Sequence, residues 1–245
     1  MMHNNPEDTS MRLDSYLAHA GIASRREAKD FVKRGLISVN GKKSTEPGMK
    51  VFPEKDEITV SEKIAKKIKE KETVLVYKPR GYVSSPDSDE GVLNIFDSFP
   101  HFRHLNCVGR LDKESEGLIL LSNDGLITKA ITGKDHRIEK EYIVTTRERV
   151  PDGAIVRMEK GMRLEDGSKT LPAKVQKNKR NVFTIILKEG KKHQIRRMAN
   201  ACRLTIDSLK RVRIHNLEIG SMKPGHFSKL TQEEVDDIKR VGLAS

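Results

Sequence analysis

The chain has no tryptophan, and aromatic residues make up only 4% of its 245 positions. That excludes an extended base-stacking platform as the basis of any nucleic-acid binding. Cysteine is almost as scarce: Cys107 and Cys202 stand alone, in neither metal-binding nor redox spacing. Such usage excludes a disulfide scaffold and suits a reducing cytoplasm, which is the expected location. No apolar run approaches the length of a membrane-spanning helix, so no membrane partner is expected. The stretch Met1–Ser10 is polar and contains Glu7 and Asp8, so it reads as neither a signal nor a transit peptide. Internal repeats are absent. Carboxylates are the scarcer charge, 35 Asp and Glu against 47 Lys and Arg. The resulting net charge of +12 points to a polyanion as the natural partner. The length allows one large or two smaller domains and a substantial core.

Arg12 to Gly35 reads as two short helices. Leu13, Tyr16, Leu17 and Ala20 fall on one apolar stripe, which Gly21 ends. Ser24 and Glu27 have the spacing of a capping box, and the helix they start buries Ala28, Phe31 and Val32 and stops at Gly35. Its other side carries Arg25, Arg26 and Lys29, followed by Lys33 and Arg34. Cations at a helix N-terminus oppose the helix dipole, so Arg25 and Arg26 point to a phosphate ligand rather than to helix stability. Ile37–Val39, then Asn40-Gly41, then Lys42-Lys43 read as a strand and a tight turn, with a further strand at Ile58–Val60. Residues 61–72 are Lys-rich and nearly lack large apolar side chains, so they read as an exposed connector.

Beyond the connector, Val74–Tyr77 is a strand that Pro79 and Gly81 break. Val108 to Gly125 reads V-G-R-L-D-K-E-S-E-G-L-I-L-L-S-N-D-G. Its Leu118–Leu121 run is too short for a helix and ends in a strong turn signal, so it is a buried strand. The loop before it carries Arg110, Asp112, Lys113, Glu114 and Glu116, a carboxylate among cations. Ser84–Gly91 is a polar loop, and the apolar Val92–Phe99 is expected to pack beneath the loop that carries Asp112. A short helix is expected at Leu126–Ile131, a period-two strand at Lys140–Thr145 and a helix at Pro151–Lys160. Paired strands come next at Ala173–Gln176 and Val182–Leu187, then a last strand at Val212–Ile219 and a helix capped by Thr231 and Glu234. Between Lys177 and Arg213 there are twelve Lys or Arg against Glu189 and Asp207, the electrostatic footprint of a nucleic-acid groove. His193 lacks the spacing of a metal ligand and reads as a hydrogen-bonding or RNA-contacting residue.

Two resemblances organise these pieces. L-D-x-Y-L-A-x-A-G-I-A-S-R-R-E-A followed by G-L-I-S-V-N-G-K resembles the small RNA-binding module named after ribosomal protein S4, over about Met11–Val60. K-P-x-G-x-V-S at 78–84, G-R-L-D at 109–112, K-E-Y-x-V at 140–144 and H-Q-I-R-R-M at 193–198 stand in that order. Together they resemble the RsuA/RluB/RluE/RluF family of ribosomal RNA pseudouridine synthases over nearly the whole chain. The resemblance implies an α+β chain: a small N-terminal S4-like α/β RNA-binding domain at 11–60, a linker at 61–72, and a catalytic domain at 73–241 on a mixed, mostly antiparallel sheet. It implies isomerisation of one uridine to pseudouridine without cofactor or metal.

It also puts Asp112 in the place of the nucleophile, Tyr142 against the target base, Arg196 as the partner of Asp112, and Ile195 packed below the site. Arg110 would fill the space that a flipped uridine vacates, or grip phosphate. Lys78, Arg80, His193 and Arg197 are expected RNA contacts, with Arg25, Arg26 and Lys29 on the smaller domain. The expected partner is ribosomal RNA or a pre-ribosomal particle, met by a monomer. Gly133–Tyr142 and the H-Q-I-R-R-M segment resemble 23S more than 16S rRNA modifiers. The alternatives are a 16S enzyme and a non-catalytic RNA-binding or ribosome-assembly protein, which would have no need of Asp112, Tyr142 and Arg196 together. Which atom Asp112 attacks, and which group takes the C5 proton, the residues leave open.

Overall fold

The computed structural model describes residues 10–20, 22–85, 91–133 and 137–244. Gly21, expected to end the first helix, and most of the polar loop 84–91 lie outside the described residues. The chain divides into two compact units, one reaching to Glu72 and the other running from Thr73 onward, with 124–126 counted to the first.

In the first unit the elements are β1 (Met11–Arg12), α1 (Leu13–His19), α2 (Arg25–Lys33), β2 (Ile37–Val39), β3 (Lys42–Ser44), β4 (Lys50–Val51), β5 (Ile58–Val60) and α3 (Glu62–Lys69). Strand β2 pairs antiparallel with β3 on one side and β5 on the other, and β1 pairs with β4. Asn40 and Gly41 both have positive φ, 51° and 75°, the backbone that a tight two-residue hairpin turn needs. The capping box is formed: Ser24 Oγ accepts from the Glu27 amide, and Glu27 Oε2 accepts from the Ser24 amide. Leu13, Leu17, Ala28, Phe31 and Val32 then bury against Ile37, Val39 and Val51. Residues 61–72, expected as an exposed connector, contain helix α3, and its Ile64 is buried in this same core. Arg25, Arg26 and Lys29 are exposed on α2.

The second unit is built on β6 (Thr73–Lys78), β7 (Asn106–Val108), β8 (Glu116–Ser122), β9 (Lys140–Thr146), β10 (Lys174–Lys179), β11 (Val182–Leu187), β12 (Ile206–Ile214), β13 (Leu217–Glu218) and β14 (Phe227–Lys229). Its helices are α4 (Ile95–Ser98), α5 (Gly125–Thr132), α6 (Asp152–Glu159), α7 (Gln194–Ala201) and α8 (Gln232–Gly242). The strand order is β10-β11-β9-β12-β8-β6-β14, with β13 paired to β12 and β7 to β8. Among the described residues β12 and β8 form the one parallel pair of this sheet; the others are antiparallel, as an α+β fold requires. The apolar residues of α6 and α7 pack with β9, β10 and β11, whereas α5 and α8 pack with residues of β6, β8 and β12.

Strand β12 begins at Ile206, six residues before the expected start at Val212, and stops at Ile214. Its interior reads K-R-V-R, and those charges hide the alternation that marks a strand. Strand β14 escaped the sequence altogether, because its three residues are all exposed at the sheet edge.

The crossing of β8 and β12 depends on one glycine. Gly117 has φ +107°, and a Cβ there would lie 2.2 Å from the Arg211 carbonyl oxygen. Gly167 also has positive φ, +79°, but open space around it. Gly167→Ala is expected to cost about 1 kcal/mol through strain alone. Gly117→Ala adds a backbone clash and should cost about 3 kcal/mol or more. Urea unfolding of the two variants measures the difference; equal losses would mean that the strands simply move apart.

Candidate active site

Between β7 and β8 the chain makes the loop 109–115, which carries Asp112. One segment distant in sequence ties it down on both sides of that residue. Ser84 is buried, and its hydroxyl donates to the Leu111 carbonyl at 2.8 Å and accepts from the Leu111 amide at 3.0 Å. The Gly81 amide donates to the Lys113 carbonyl at 2.8 Å. Leu111 points into an apolar cluster with Ile95, Phe96 and Phe99, so the stretch Val92–Phe99 does pack beneath the loop. Asn94 caps α4 there, accepting from the Phe96 amide. The loop closes on itself where the Ser115 amide donates to the Asp112 carbonyl at 3.0 Å.

Lys78, expected to reach RNA phosphate, is fully buried instead. It ends β6, a strand with all six side chains buried, so its ammonium group turns to the Pro79 and Ser115 carbonyls at 2.9 and 2.7 Å. Burial pushes its pKa down to about 8, against the opposing pull of Asp112 first among three carboxylates.

The Asp112 side chain is about one third exposed (34%). Arg196 approaches one of its oxygens, Nε to Oδ2, at 3.7 Å, and His193 Nε2 lies 3.4 Å from the other. The hydrogen bonds of Arg196 go elsewhere. Arg196 Nη2 donates to the Glu114 carbonyl at 2.9 Å and to Ser115 Oγ at 3.1 Å. This arginine therefore holds the loop by hydrogen bonds and faces the carboxylate as a charge. It comes from the first turn of α7, which begins after His193 in left-handed conformation, φ 52°. The turn before that helix is fixed by buried Glu189 and Gln194. Gln194 Nε2 donates to Glu189 at 2.7 Å, and Gln194 Oε1 accepts from the Lys191 amide at 3.0 Å.

Asp112, Ser115, His193 and Gln194 line one cavity of about 650 Å³ that also takes in Arg110, Tyr142, Ile195, Lys140 and Arg211. Ile195 is buried in the core beneath α7, and Tyr142 packs against both that core and the cluster under the 109–115 loop. Arg211, which the sequence presents only as part of a basic stretch, is 5% exposed and sits across the sheet from Tyr142. Its Nε donates to the Leu118 carbonyl at 2.6 Å, and its Nη1 lies 3.4 Å from the Tyr142 hydroxyl. Lys140 donates to the Ile131 carbonyl at 2.9 Å, and its pKa falls to about 8, first by burial and then by the Arg211 charge. Ser84 and Lys140 stand inside the sequence motifs without a role of their own there. Arg211 has no signal beyond being one cation in a basic stretch, just ahead of the strand expected from Val212.

The other expected contacts lie outside this cluster or are already engaged. Arg110 is exposed at the rim. Arg80 pairs with Glu114 at 3.0 Å and donates to the Asp207 carbonyl. Arg197, expected to reach RNA, pairs instead with Glu165 at 2.5 Å and Asp166 at 2.7 Å. The twelve cations of 177–213 are likewise no uniform groove: Arg213 pairs with Glu139 and Glu141, and Lys177 with Asp152. Among the described residues no group of three or more His, Cys, Asp or Glu could hold a metal, and no helix is long and apolar enough to cross a membrane.

Comparison with known proteins relates the chain to a family. Residues 72–201 match the family described as RNA pseudouridylate synthase, and residues 11–58 match the S4 domain. The ribosomal large subunit pseudouridine synthase B of Bacillus subtilis (strain 168) is 35% identical over 237 residues, covering 93% of this chain and 95% of that one. The dual-specificity RNA pseudouridine synthase RluF of Escherichia coli (strain K12) is 36% identical over 235 residues, covering 94% of this chain and 79% of that one. A crystal structure of a pseudouridylate synthase superposes with a TM-score of 0.66 at 27% identity, covering 94% of this chain and all of that one.

The depressed Lys78 pKa carries a pH signature. Unfolding restores the ordinary value of 10.5, so between about pH 8 and 10.5 the unfolded chain binds the extra proton. Stability from this group therefore rises with pH across that window, by up to about 3 kcal/mol. Measured against Lys78→Met by urea unfolding at pH 7.5, 9 and 10, the wild-type protein should gain on the variant as pH increases. A pH-independent difference would mean that Lys78 keeps an ordinary pKa.

Proposed function

The chain belongs to the RNA pseudouridylate synthase family, and we propose that it converts one uridine of ribosomal RNA, in the 23S rRNA, to pseudouridine with Asp112 as the nucleophile. The observation that carries this reading is that Asp112 and Tyr142 line one cavity while Arg196 faces the Asp112 carboxylate, the three coming from segments far apart in sequence. A protein that only bound RNA would have no use for a carboxylate held there between cations. The large-subunit target is supported by the B. subtilis relative, whose name assigns it to that subunit. The exposed Arg25, Arg26 and Lys29 supply the RNA-backbone contacts of a separate binding domain at 11–60.

The reaction exchanges one bond for another. The N1–C1′ bond breaks, a C5–C1′ bond forms, the C5 proton leaves and N1 takes up a proton. A stacked uridine exposes none of these atoms, so it must be flipped into the cavity. Tyr142 lies against the base, and Arg110 at the rim fills the space it vacates or holds phosphate. Asp112 attacks as a carboxylate. Arg196 faces that carboxylate at 3.7 Å.

Asp112→Asn keeps the size and removes the charge. It should bind rRNA with unchanged affinity and lose pseudouridine formation by at least about four orders of magnitude, the scale of losing a nucleophile. Tritium release from C5-labelled uridine in 23S and 16S rRNA measures this, and substantial turnover by the variant would sink the nucleophile assignment. Release from 16S rRNA alone by the wild-type protein would move the target and leave the chemistry standing.

Arg196 and Arg197 should separate cleanly. Arg196→Ala removes two loop hydrogen bonds and the charge facing Asp112, which should cost about 1–3 kcal/mol of stability together with turnover. Arg196→Lys should restore part of the turnover, since an ammonium restores charge but not the fork. Arg197→Ala frees Glu165 and Asp166 and should leave turnover within about threefold of wild type, a shift typical of surface pairs. Melting curves and single-turnover assays on the three variants decide this; equal losses from Arg196→Ala and Arg197→Ala would refute the special role of Arg196.

A further inference from the structure

The geometry points to Arg211 as the positioning residue of this reaction: it locks the Tyr142 ring and makes the cavity floor cationic for a base that leaves the sugar as an anion. The inference rests on the proposed pseudouridine chemistry and adds a residue to it. Arg211 is an unusual residue for its place. It lies in the middle of a nine-stranded sheet, paired with Tyr142 on one side and Gly117 on the other. An arginine there must desolvate its charge, which is costly unless the charge is used. No carboxylate pairs with it among the described residues. Its Nε is taken up by the Leu118 carbonyl, Nη1 meets the Tyr142 hydroxyl, and the guanidinium carbon lies 5.9 Å from the Tyr142 ring centroid. Its Nη2 is buried with no hydrogen-bond partner among the described residues. A buried, unpartnered donor is a cost that folding alone does not explain.

The chemistry of the step explains it. When the N1–C1′ bond breaks heterolytically, the base keeps the bonding pair and carries a negative charge spread over N1 and the two carbonyl oxygens. C5 then uses that electron density to bond to C1′, the C5 proton leaves and N1 is protonated. During the interval a detached anion sits against Tyr142 in the cavity. A fixed cation behind that ring stabilises the anion without reorganising. Lys140 lines the same cavity and adds positive charge, Lys78 lies buried beneath the loop, and Asp112 is the carboxylate opposite. Because Arg211 reaches the base through Tyr142, its effect should depend on that side chain. Gly117, which admits the Arg211 backbone, becomes part of the same device.

The test uses the full-length protein in excess over rRNA transcripts carrying either uridine or 5-fluorouridine, with nucleosides quantified by mass spectrometry after digestion. Arg211→Met keeps bulk and removes charge. It should melt near wild type and bind RNA within about threefold, yet cleave the N1–C1′ bond of uridine about a hundredfold more slowly. Fluorine makes the departing anion more stable, so the same variant should lose about tenfold less on 5-fluorouridine. In a Tyr142→Phe background the Arg211→Met loss should shrink to about tenfold or below, since the hydroxyl contact is already gone. Equal losses on both nucleosides would make Arg211 merely structural, and undiminished loss beside Tyr142→Phe would disconnect it from that ring; either overturns the inference. If Arg211→Met does not fold, Arg211→Lys carries the same two comparisons, with losses about tenfold smaller throughout. A wild-type protein that forms no pseudouridine in either rRNA removes the reading beneath the inference. An active wild type beside an equally active Arg211→Met removes the inference alone.

Discussion

The site depends on how one short loop is held. Residues 109–115 carry the carboxylate that the proposed chemistry needs, and a loop left to itself would sample many conformations. Here the Ser84 hydroxyl clasps both backbone groups of Leu111, Gly81 bonds Lys113, and Lys78 and Arg196 hold Ser115. The anchors bracket Asp112 in sequence and leave its side chain to face the cavity, Arg196 and His193. They also explain why the K-P-x-G-x-V-S element sits some thirty residues ahead of the loop: its positions 78, 81 and 84 each supply one anchor to it. The loop is thus as rigid as the sheet from which its anchors come.

Around that loop the electrostatics run in one direction. Arg196 faces the Asp112 carboxylate from outside, Lys78 is buried beneath, and Arg211 and Lys140 line the cavity. Burial makes each of these cations expensive, as the lowered Lys78 and Lys140 values record. Their shared consequence is a cavity where negative charge is favoured, whether on Asp112 or on a detached base. Stability is given up at the site for a potential that a surface cluster of lysines, open to water and salt, would not sustain.

Part of this is legible in the sequence. Periodicity, capping boxes and the Asn40-Gly41 turn are local, and each forms where its residues say it should. Asp112, Tyr142 and Arg196 stand inside spaced motifs, and the fold brings them together. Lys78 is misplaced by the same kind of reading. A lysine in a motif looks like a phosphate contact, and only the sheet reveals that it ends a strand buried on both faces. Arg211 is hidden for the complementary reason. In K-R-V-R it looks like one of several surface cations, although strand alternation and the bulge between Arg211 and Arg213 decide which of them turns inward. Ser84 stands inside K-P-x-G-x-V-S, but nothing there marks its role, because a buried hydroxyl between two backbone groups has no pattern along the chain.

The basic stretch from Lys177 to Arg213 shows where charge counting stops. The excess correctly indicates a polyanion, since it is a sum over the surface. It does not say which cations the polyanion meets. Lys177, Arg197 and Arg213 are neutralised by carboxylates from 139–166, a part of the chain outside the counted window, while Lys191 bonds the Lys169 carbonyl and Lys210 lies over the Tyr77 ring. Arg196 faces the Asp112 carboxylate, and Arg211 turns to the cavity. What stays exposed is Lys179, Arg180, Lys188, Lys192 and Arg203, and of these Lys188 and Lys192 flank the cavity mouth. A run that looks like one RNA-binding strip is therefore three populations with separate tasks: pinning the fold, polarising the site, and facing solvent where RNA would approach. The pairing partners that sort them are brought near only by folding, which is why no window of sequence, however basic, could have told them apart.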